Sequence, residues 1–488
     1  MNTEILLPVS ELKQALGGLN KLVGKKTTLP VLSHVRITRK TDGLVQLQGT
    51  DLDATATFTL NNTQQGEVVD VLVPLEQLNK AFKCSTSKDD VALLCDGKTT
   101  KLRYYIGGSP VQQPVNTLPI GEWPIVPAIT APSTPLPDSF GESLKQAMQC
   151  CSEDTSRHVL RGACLDARDE KAHYVVGTNG RCLYAANSFS FPLKEAVIIP
   201  DSKFINGSSL LDGEPCSLAV QPGKKPSDVK QISLQNKQWQ FITREIEGEY
   251  PNWKQVVPTV NGSWTLVKLS DTAIEQMLKV IPNLPGQDDV NNTVKLSTGH
   301  NCLWVAGRGK EDKEWTKIAI SDVSIVGKFK EITLNRDYLL PPLKFGLNEL
   351  AIQDELSPMV ASKDGKKMVI MPVRPNGPPV EKPKPQPETK PQPSTSASVP
   401  PTPEAKPKTE EKESTMPKET PKTAEAPKPA EPSLLDQIEQ VKESAKNLVR
   451  DLTGLTDAVK LAEREKRANE KEVETARAVL KKLQAVSL

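Results

Sequence analysis

The chain lacks the paired cysteines that a structural zinc site or a disulfide framework needs. Its eight cysteines include no C-x-x-C spacing, and Cys150 and Cys151 are adjacent, a poor geometry for a mutual bridge. They read as reduced, partly buried thiols of a cytoplasmic protein. No apolar run is long enough to span a bilayer, and no signal-peptide pattern opens the chain. An excess of one charge is missing too: Lys plus Arg number 62 against 60 Asp plus Glu, a formal net charge of +2. Contact with a polyanion must therefore come from a local basic surface, not from the chain as a whole.

Catalytic and cofactor patterns are equally scarce. Gly24-Lys25-Lys26-Thr27 imitates a phosphate loop, but Gly17 and Gly18 are misplaced for it and Lys26 stands where a magnesium-binding hydroxyl belongs. The four histidines, His34, His158, His173 and His300, have no Cys, Glu or His at ligand spacing. Asp51 and Asp53 fit a hairpin turn, with no further acids converging to make a two-metal site. The expectation is a non-catalytic protein with no metal and no cofactor.

What is present is repetition. The segments LQGTDLDATATF (with Thr50-Asp51-Leu52), VVGTNGRCLYAA (with Thr178-Asn179-Gly180) and LWVAGRGKEDKEW (with Val305-Ala306-Gly307) each read as an apolar strand, a tight polar turn and a return strand. They recur about 128 residues apart, close to one domain length. GEWPIVP from Gly121 and GEYPNWKQVVP from Gly248 repeat at nearly the same interval. Each repeat divides again into a short apolar strand, a Pro, Ser or Asn near a cap position, and an apolar stripe at helical spacing. Six such units begin at Leu6, Val71, Pro135, Val197, Val267 and Ile332. Ser10 and Ser270 read as N-caps. Gly207-Ser208-Ser209 and Pro341-Pro342 predict short or kinked helices in the fourth and sixth units. The fold class is α+β, with three similar domains at 1–130, 131–260 and 261–374, each setting two helices on antiparallel sheet.

These residues resemble the beta subunit of bacterial DNA polymerase III, the sliding clamp. The likeness is carried by TTLPVLSHVRI from Thr27, LQGTDLDATATF, TLPIGEWP from Thr117, SRHVLRGACLD from Ser156, GTNGRCLYAA from Gly177, EGEYPNW from Glu247 and MVIMPVR from Met368, and it covers residues 1–374. The resemblance implies half of a six-domain ring: a head-to-tail homodimer with helices turned inward around duplex DNA. Such a ring must hold DNA without reading its sequence, so its contacts should go to phosphates. Candidate cations are Lys13, Lys21, Lys25, Lys26, Lys80, Lys83, Lys145, Lys203, Lys279 and Lys344. The resemblance implies DNA contact at Lys26 and at the Arg157-His158 turn, where Val159 replaces an expected aromatic. Taken singly, each lysine also reads as a solvated helix face.

The resemblance further implies a pocket for short peptides of the polymerase catalytic subunit, the clamp loader and other clamp-binding proteins. It places Leu160, Thr178, Gly180, Arg181, Leu183, Pro251, Val256, Val369, Met371, Pro372, Val373 and Arg374 around that pocket. Aliphatics and Met suit a Leu or Phe anchor, with polar groups at the rim. Cys182 and Gln255 stand where basic residues are common. Ring edges are expected near Gln113-Pro114-Val115 and near Ile281–Leu284, both carrying proline.

Residues 375–432 are rich in Pro, Lys, Glu and Thr and predict a disordered linker reaching on the order of 40 Å. Residues 433–488 regain apolar steps of four and three at Leu434, Ile438, Val441, Ala445, Leu448, Leu452, Leu455, Val459 and Ala462, then at Val473, Ala476, Leu480 and Leu483. That pattern predicts a coiled coil or another helical extension with a possible helical partner. Two readings remain from the sequence: a clamp that encircles DNA, and a clamp-fold scaffold whose tail recruits a partner while DNA is secondary.

Overall fold

A computed structural model describes residues 3–374 apart from 25–27, 87–88, 97–98, 214, 224–228, 287–290, 300–301 and 311. The linker and heptad segments read from the sequence lie outside the described residues. Among those described, no helix is long and apolar enough to cross a membrane.

One strand-and-helix plan runs three times. In the first module, strand Thr3–Pro8 leads into helix α1 (Val9–Leu22) and the meander His34–Arg39, Val45–Thr50, Ala54–Thr59. Strand Val69–Pro74 then leads into α2 (Leu75–Cys84) and the meander Asp90–Cys95, Thr100–Ile106, Ser109–Pro114. The leading strands are exchanged: Thr3–Pro8 pairs with the second meander and Val69–Pro74 with the first. The second module repeats this with Thr134–Pro135, α3 (Ser139–Met148) and Gly162–Asp166, His173–Thr178, Cys182–Phe189. It continues with Ala196–Pro200, α4 (Lys203–Gly207) and Ser217–Gln221, Gln231–Gln235, Trp239–Arg244. The third uses Thr265–Leu269, α5 (Asp271–Val280) and Thr293–Gly299, Cys302–Gly307, Thr316–Ile320. It ends with Ile332–Asn335, α6 (Arg336–Lys344) and Glu349–Ile352, Met359–Lys363, Lys366–Ile370. One strand has no counterpart: Val323–Val326 adds itself to the outside of Thr265–Leu269.

Modules join through the third strands of their meanders. Ala54–Thr59 pairs with Trp239–Arg244, and Cys182–Phe189 pairs with Lys366–Ile370, building sheets of eight and nine strands. Helices cover one face of these sheets. Along Cys182–Phe189, Cys182, Tyr184 and Ala186 enter the large core beneath the helices, while Leu183 and Ala185 join a separate cluster on the opposite face. In α1 and α2 the apolar stripes Leu12, Ala15, Leu16, Leu19 and Leu75, Leu78, Ala81 are buried, and the pair is tied by reciprocal amide bonds between Asn20 and Asn79 at 2.9 and 2.8 Å.

Three expectations need correction. Ser10 is not an N-cap: Pro8 occupies that place without a side-chain bond, α1 opens at Val9, and the Val9 N–H is met by the Asp89 carbonyl of the neighbouring segment at 3.4 Å. Ser270 does cap α5, accepting from the Ala273 N–H at 3.1 Å. The third strand pair near Val305 closes through residues 308–315 and not through a tight turn. Ile281–Asn283 is a short 3-10 turn with Ile281 buried, so the open edge of that sheet is Thr316–Ile320. The fourth unit is short as expected, with α4 passing into the 3-10 turn Ser209–Leu211. In the sixth, α6 ends at Lys344 with Pro341 and Pro342 inside it.

Candidate peptide pocket and nucleic-acid face

The second and third modules meet at a cavity of about 270 Å³ on the sheet face away from the helices. Its floor is made by strand residues that the cross-strand register forces together: Thr178 lies opposite Leu183, and Leu183 opposite Val369. Leu160, Leu183, Val369 and Trp253 are buried, whereas Val256 and Met371 are 58% and 45% exposed at the mouth. Apolar side chains left half in water beside a buried apolar floor are what an aliphatic or aromatic anchor from a partner would cover.

One wall is a turn held by its own side chains. Thr178 Oγ1 donates to the Cys182 carbonyl at 2.6 Å and accepts from the Gly180 N–H at 3.1 Å. Asn179 Oδ1 accepts from the N–H groups of Arg181 and Cys182, both at 2.9 Å. Gly180 takes φ +83°, a left-handed conformation that glycine adopts without strain. The Met371 N–H donates to the Arg181 carbonyl at 3.0 Å, which fixes the mouth residue to this turn.

The opposite wall is anchored by charge. Trp253 Nε1 donates to Asp166 Oδ2 at 2.8 Å, and Arg168 grips the same carboxylate through Nε and Nη2, both at 2.8 Å. Burial alone would raise the Asp166 pKa, but the Arg168 and Trp253 donors outweigh it and bring the group down to about 2. Tyr174 meets Trp253 edge-on at 5.0 Å, and the Lys254 ammonium stands 5.0 Å from the Tyr174 ring while bonding Asp169 at 2.9 Å.

Of the residues proposed for this pocket, Leu160, Thr178, Gly180, Arg181, Leu183, Pro251, Val256, Val369 and Met371 line it. Pro372, Val373 and Arg374 fall outside its lining; the Val373 N–H turns instead to the Thr333 carbonyl at 2.8 Å. Cys182, noted only as standing where a basic residue is common, also lines it, and Asn252 and Trp253 were missed. The Trp in EYPNW was the signal for the last, since a large aromatic beside an apolar groove usually packs into its wall. A second, polar cavity shares Arg181 with the first and adds Glu153, Asp154, Arg157, Asn179 and Tyr338.

The proposed cations separate into groups. Lys13, Lys21, Lys80, Lys83, Lys203, Lys279 and Lys344 are exposed on their helices. Lys145 is half-buried and paired with Asp212, and Lys279 has Glu275 at 3.8 Å. Arg157 and His158 sit beside the pocket: Arg157 Nη1 reaches the Asn179 carbonyl at 3.5 Å, and His158 Nε2 donates to the Glu247 carbonyl at 3.1 Å. Lys25 and Lys26 lie outside the described residues.

No family model matches the chain. It is 23% identical over 386 residues to the beta sliding clamp of Caulobacter vibrioides, covering 74% of this chain and 97% of that one. It is likewise 23% identical over 271 residues to the beta sliding clamp of Buchnera aphidicola, covering 53% and 69%. Among solved structures, the sliding clamp of Bartonella birtlesii, DNA polymerase III subunit beta bound to griselimycin, superposes with a TM-score of 0.63 at 20% identity. That match covers 77% of this chain and all of the other. The DNA polymerase III beta subunit of Thermotoga maritima gives 0.63 at 19% with the same coverage. With three copies of one plan joined through their third strands, the body of this chain has the fold of the bacterial DNA polymerase III beta sliding clamps.

Proposed function

We propose that the protein is a DNA sliding clamp, two copies of which close head to tail around duplex DNA and tether a polymerase to it. The observation that carries this reading is an unmatched pair of strands. Every module ends each meander on a third strand, and four of the six such strands pair within the chain. The remaining two, Ser109–Pro114 in the first module and Thr316–Ile320 in the third, end their sheets among the described residues. Joining one to the other in a second copy repeats the same junction and closes six modules into a ring.

In this role the protein performs no chemistry. The helix lysines attract phosphates without reading bases, as flexible point charges suit a contact that must slide. The apolar pocket takes an aliphatic or aromatic residue from a short peptide of the polymerase catalytic subunit, the clamp loader or another clamp-binding protein. Module limits at 1–130, 131–260 and 261–374 fit the repeat, and residues 375–488 serve as a tether to a further partner. The likeness to proteins named beta sliding clamps over nearly their whole length supports this assignment.

Loading on nicked circular DNA tests the reading. The expected result is retention that survives dilution and is lost when the circle is cut. Equal dissociation from circular and linear DNA overturns it.

A further inference from the structure

The two open edges differ in what they offer a partner strand. The Val115 N–H donates to the Thr100 carbonyl at 2.8 Å, so position 115 bonds back into its own sheet. Alternation along an unbroken register makes Gln113 and Val111 do the same, leaving Pro110, Gln112 and Pro114 with their main-chain groups turned to the open side. Two of these three are prolines. The open side therefore presents three carbonyls but one N–H, that of Gln112. The in-chain junctions carry no proline in any of their paired strands.

The opposing edge is built the other way. Gly299 and Cys302 close the hairpin that feeds it, so Cys302, Trp304 and Ala306 bond toward Thr293–Gly299. Leu303 and Val305 are left to bond Ile320 and Ile318, and Lys317 and Ala319 face the open side. There the Ala319 carbonyl already accepts from Gln276 Nε2, reaching over from α5, at 3.2 Å. This edge has N–H groups to give and one acceptor already served.

Resting on the ring reading above, we infer that the joint between copies closes in one register, with Pro110 opposite Ala319, and that Gln276 supplies the hydrogen bond Pro110 cannot. Each hydrogen-bonded antiparallel pair exchanges two bonds, and a proline removes one of them. The loss strands a carbonyl unless that carbonyl has another donor, and Ala319 is the open-edge residue that has one from a side chain. The same register sets Gln112 opposite Lys317, where both bonds form. It also brings Val111 opposite Ile318, two partly buried apolar residues that each pack toward the helix-side core of their own module. Shifting so that Pro114 meets Ala319 puts Gln112 opposite Ser321, beyond the end of the strand. The joint between copies has fewer ladder bonds than the in-chain junctions.

The test measures the monomer–dimer dissociation constant of the full chain by sedimentation. Gln276→Ala weakens association by about fivefold or more. Adding Pro110→Val in that background restores an N–H opposite Ala319 and returns the constant to within about twofold of the original. In parallel, Val111→Cys with Ile318→Cys gives an interchain disulfide on mild oxidation with a small-molecule disulfide, whereas Val111→Cys with Ile320→Cys does not, each judged against the single variants. A dimer unmoved by Gln276→Ala, not rescued by Pro110→Val, or crosslinked by the shifted pair overturns the inference and leaves the ring standing. A chain that stays monomeric in every variant overturns the ring reading, and this inference with it.

Discussion

Leu52 and Gly180 occupy the same place in two copies of one turn, with φ of +84° and +83°. The bonds around them match as well. Thr50 Oγ1 donates to the Ala54 carbonyl at 2.8 Å and accepts from the Leu52 N–H at 3.1 Å, and Asp51 Oδ1 accepts from the N–H groups of Asp53 and Ala54, as Thr178 and Asn179 do in the second module. A leucine in the left-handed region costs about 1–2 kcal/mol, and Leu52, 48% exposed, recovers only part of that through burial. Gly180 has no such compensation: a Cβ there meets Arg157 Nη1 at 2.9 Å, at the pocket's rim.

Exchanging the two residues separates turn strain from pocket function. Leu52→Gly changes unfolding free energy by under about 1 kcal/mol, since strain relief and lost burial oppose each other. Gly180→Leu loses about 2 kcal/mol in urea denaturation and weakens binding of an aliphatic-anchored peptide more than about tenfold. Peptide affinity unchanged by Gly180→Leu would remove this turn from the binding site.

The Asp166 carboxylate gives the pocket wall a pH signature. Its folded pKa, about 2, lies below the usual aspartate value, so its contribution is complete above about pH 4 and fades as pH falls through about 2. The stabilisation lost over that range is about 1–2 kcal/mol. Asp166→Asn removes this part of the acid slope, and the Trp253 fluorescence that reports the wall shifts at neutral pH. An acid titration with the same slope in the variant would show that the ion pair with Arg168 contributes nothing.

Much of this architecture was legible because the turn chemistry repeats. Thr50-Asp51 and Thr178-Asn179 advertise the same side-chain-built turn, and their interval set the module length. The third copy misled, because Gly307 keeps the strand end while residues 308–315 replace the turn. What stayed hidden depends on contacts distant in sequence. Ser10 has a cap's chemistry, but Pro8 already sets the helix start. Trp253 is placed by Asp166, 87 positions earlier. Strand Val323–Val326 has no repeat partner from which to be inferred. The donor-poor character of Ser109–Pro114 follows from bond parity, which proline count alone does not reveal.

Arg336 is another such residue. It is 2% exposed, and its guanidinium donates to the carbonyls of Ile281, Leu284, Pro285 and Thr293 at 2.7–3.2 Å, with burial lowering its pKa. This fork ties the start of α6 to the segment following α5. Arg336→Lys keeps the charge but cannot serve carbonyls in four directions, so it loses about 2–3 kcal/mol of stability. Differential scanning calorimetry checks this; a midpoint within a degree of the parent protein contradicts it.

The helix lysines pose the last question, since two physical roles predict the same residues. Lys21, Lys83, Lys279 and Lys344 fall in last turns, where the helix dipole favours a cation whether or not DNA is present. Lys13 and Lys80 stand away from the helix ends, so the dipole does not explain them. If they touch phosphates, Lys13→Gln and Lys80→Gln leave thermal stability unchanged, while the slope of log affinity for duplex DNA against log salt falls by about 0.9 per contact removed. The reduction is the same on unrelated sequences, because no base edge is read. A slope that stays constant in both variants assigns these lysines to solvation alone and moves the phosphate contacts elsewhere on the chain.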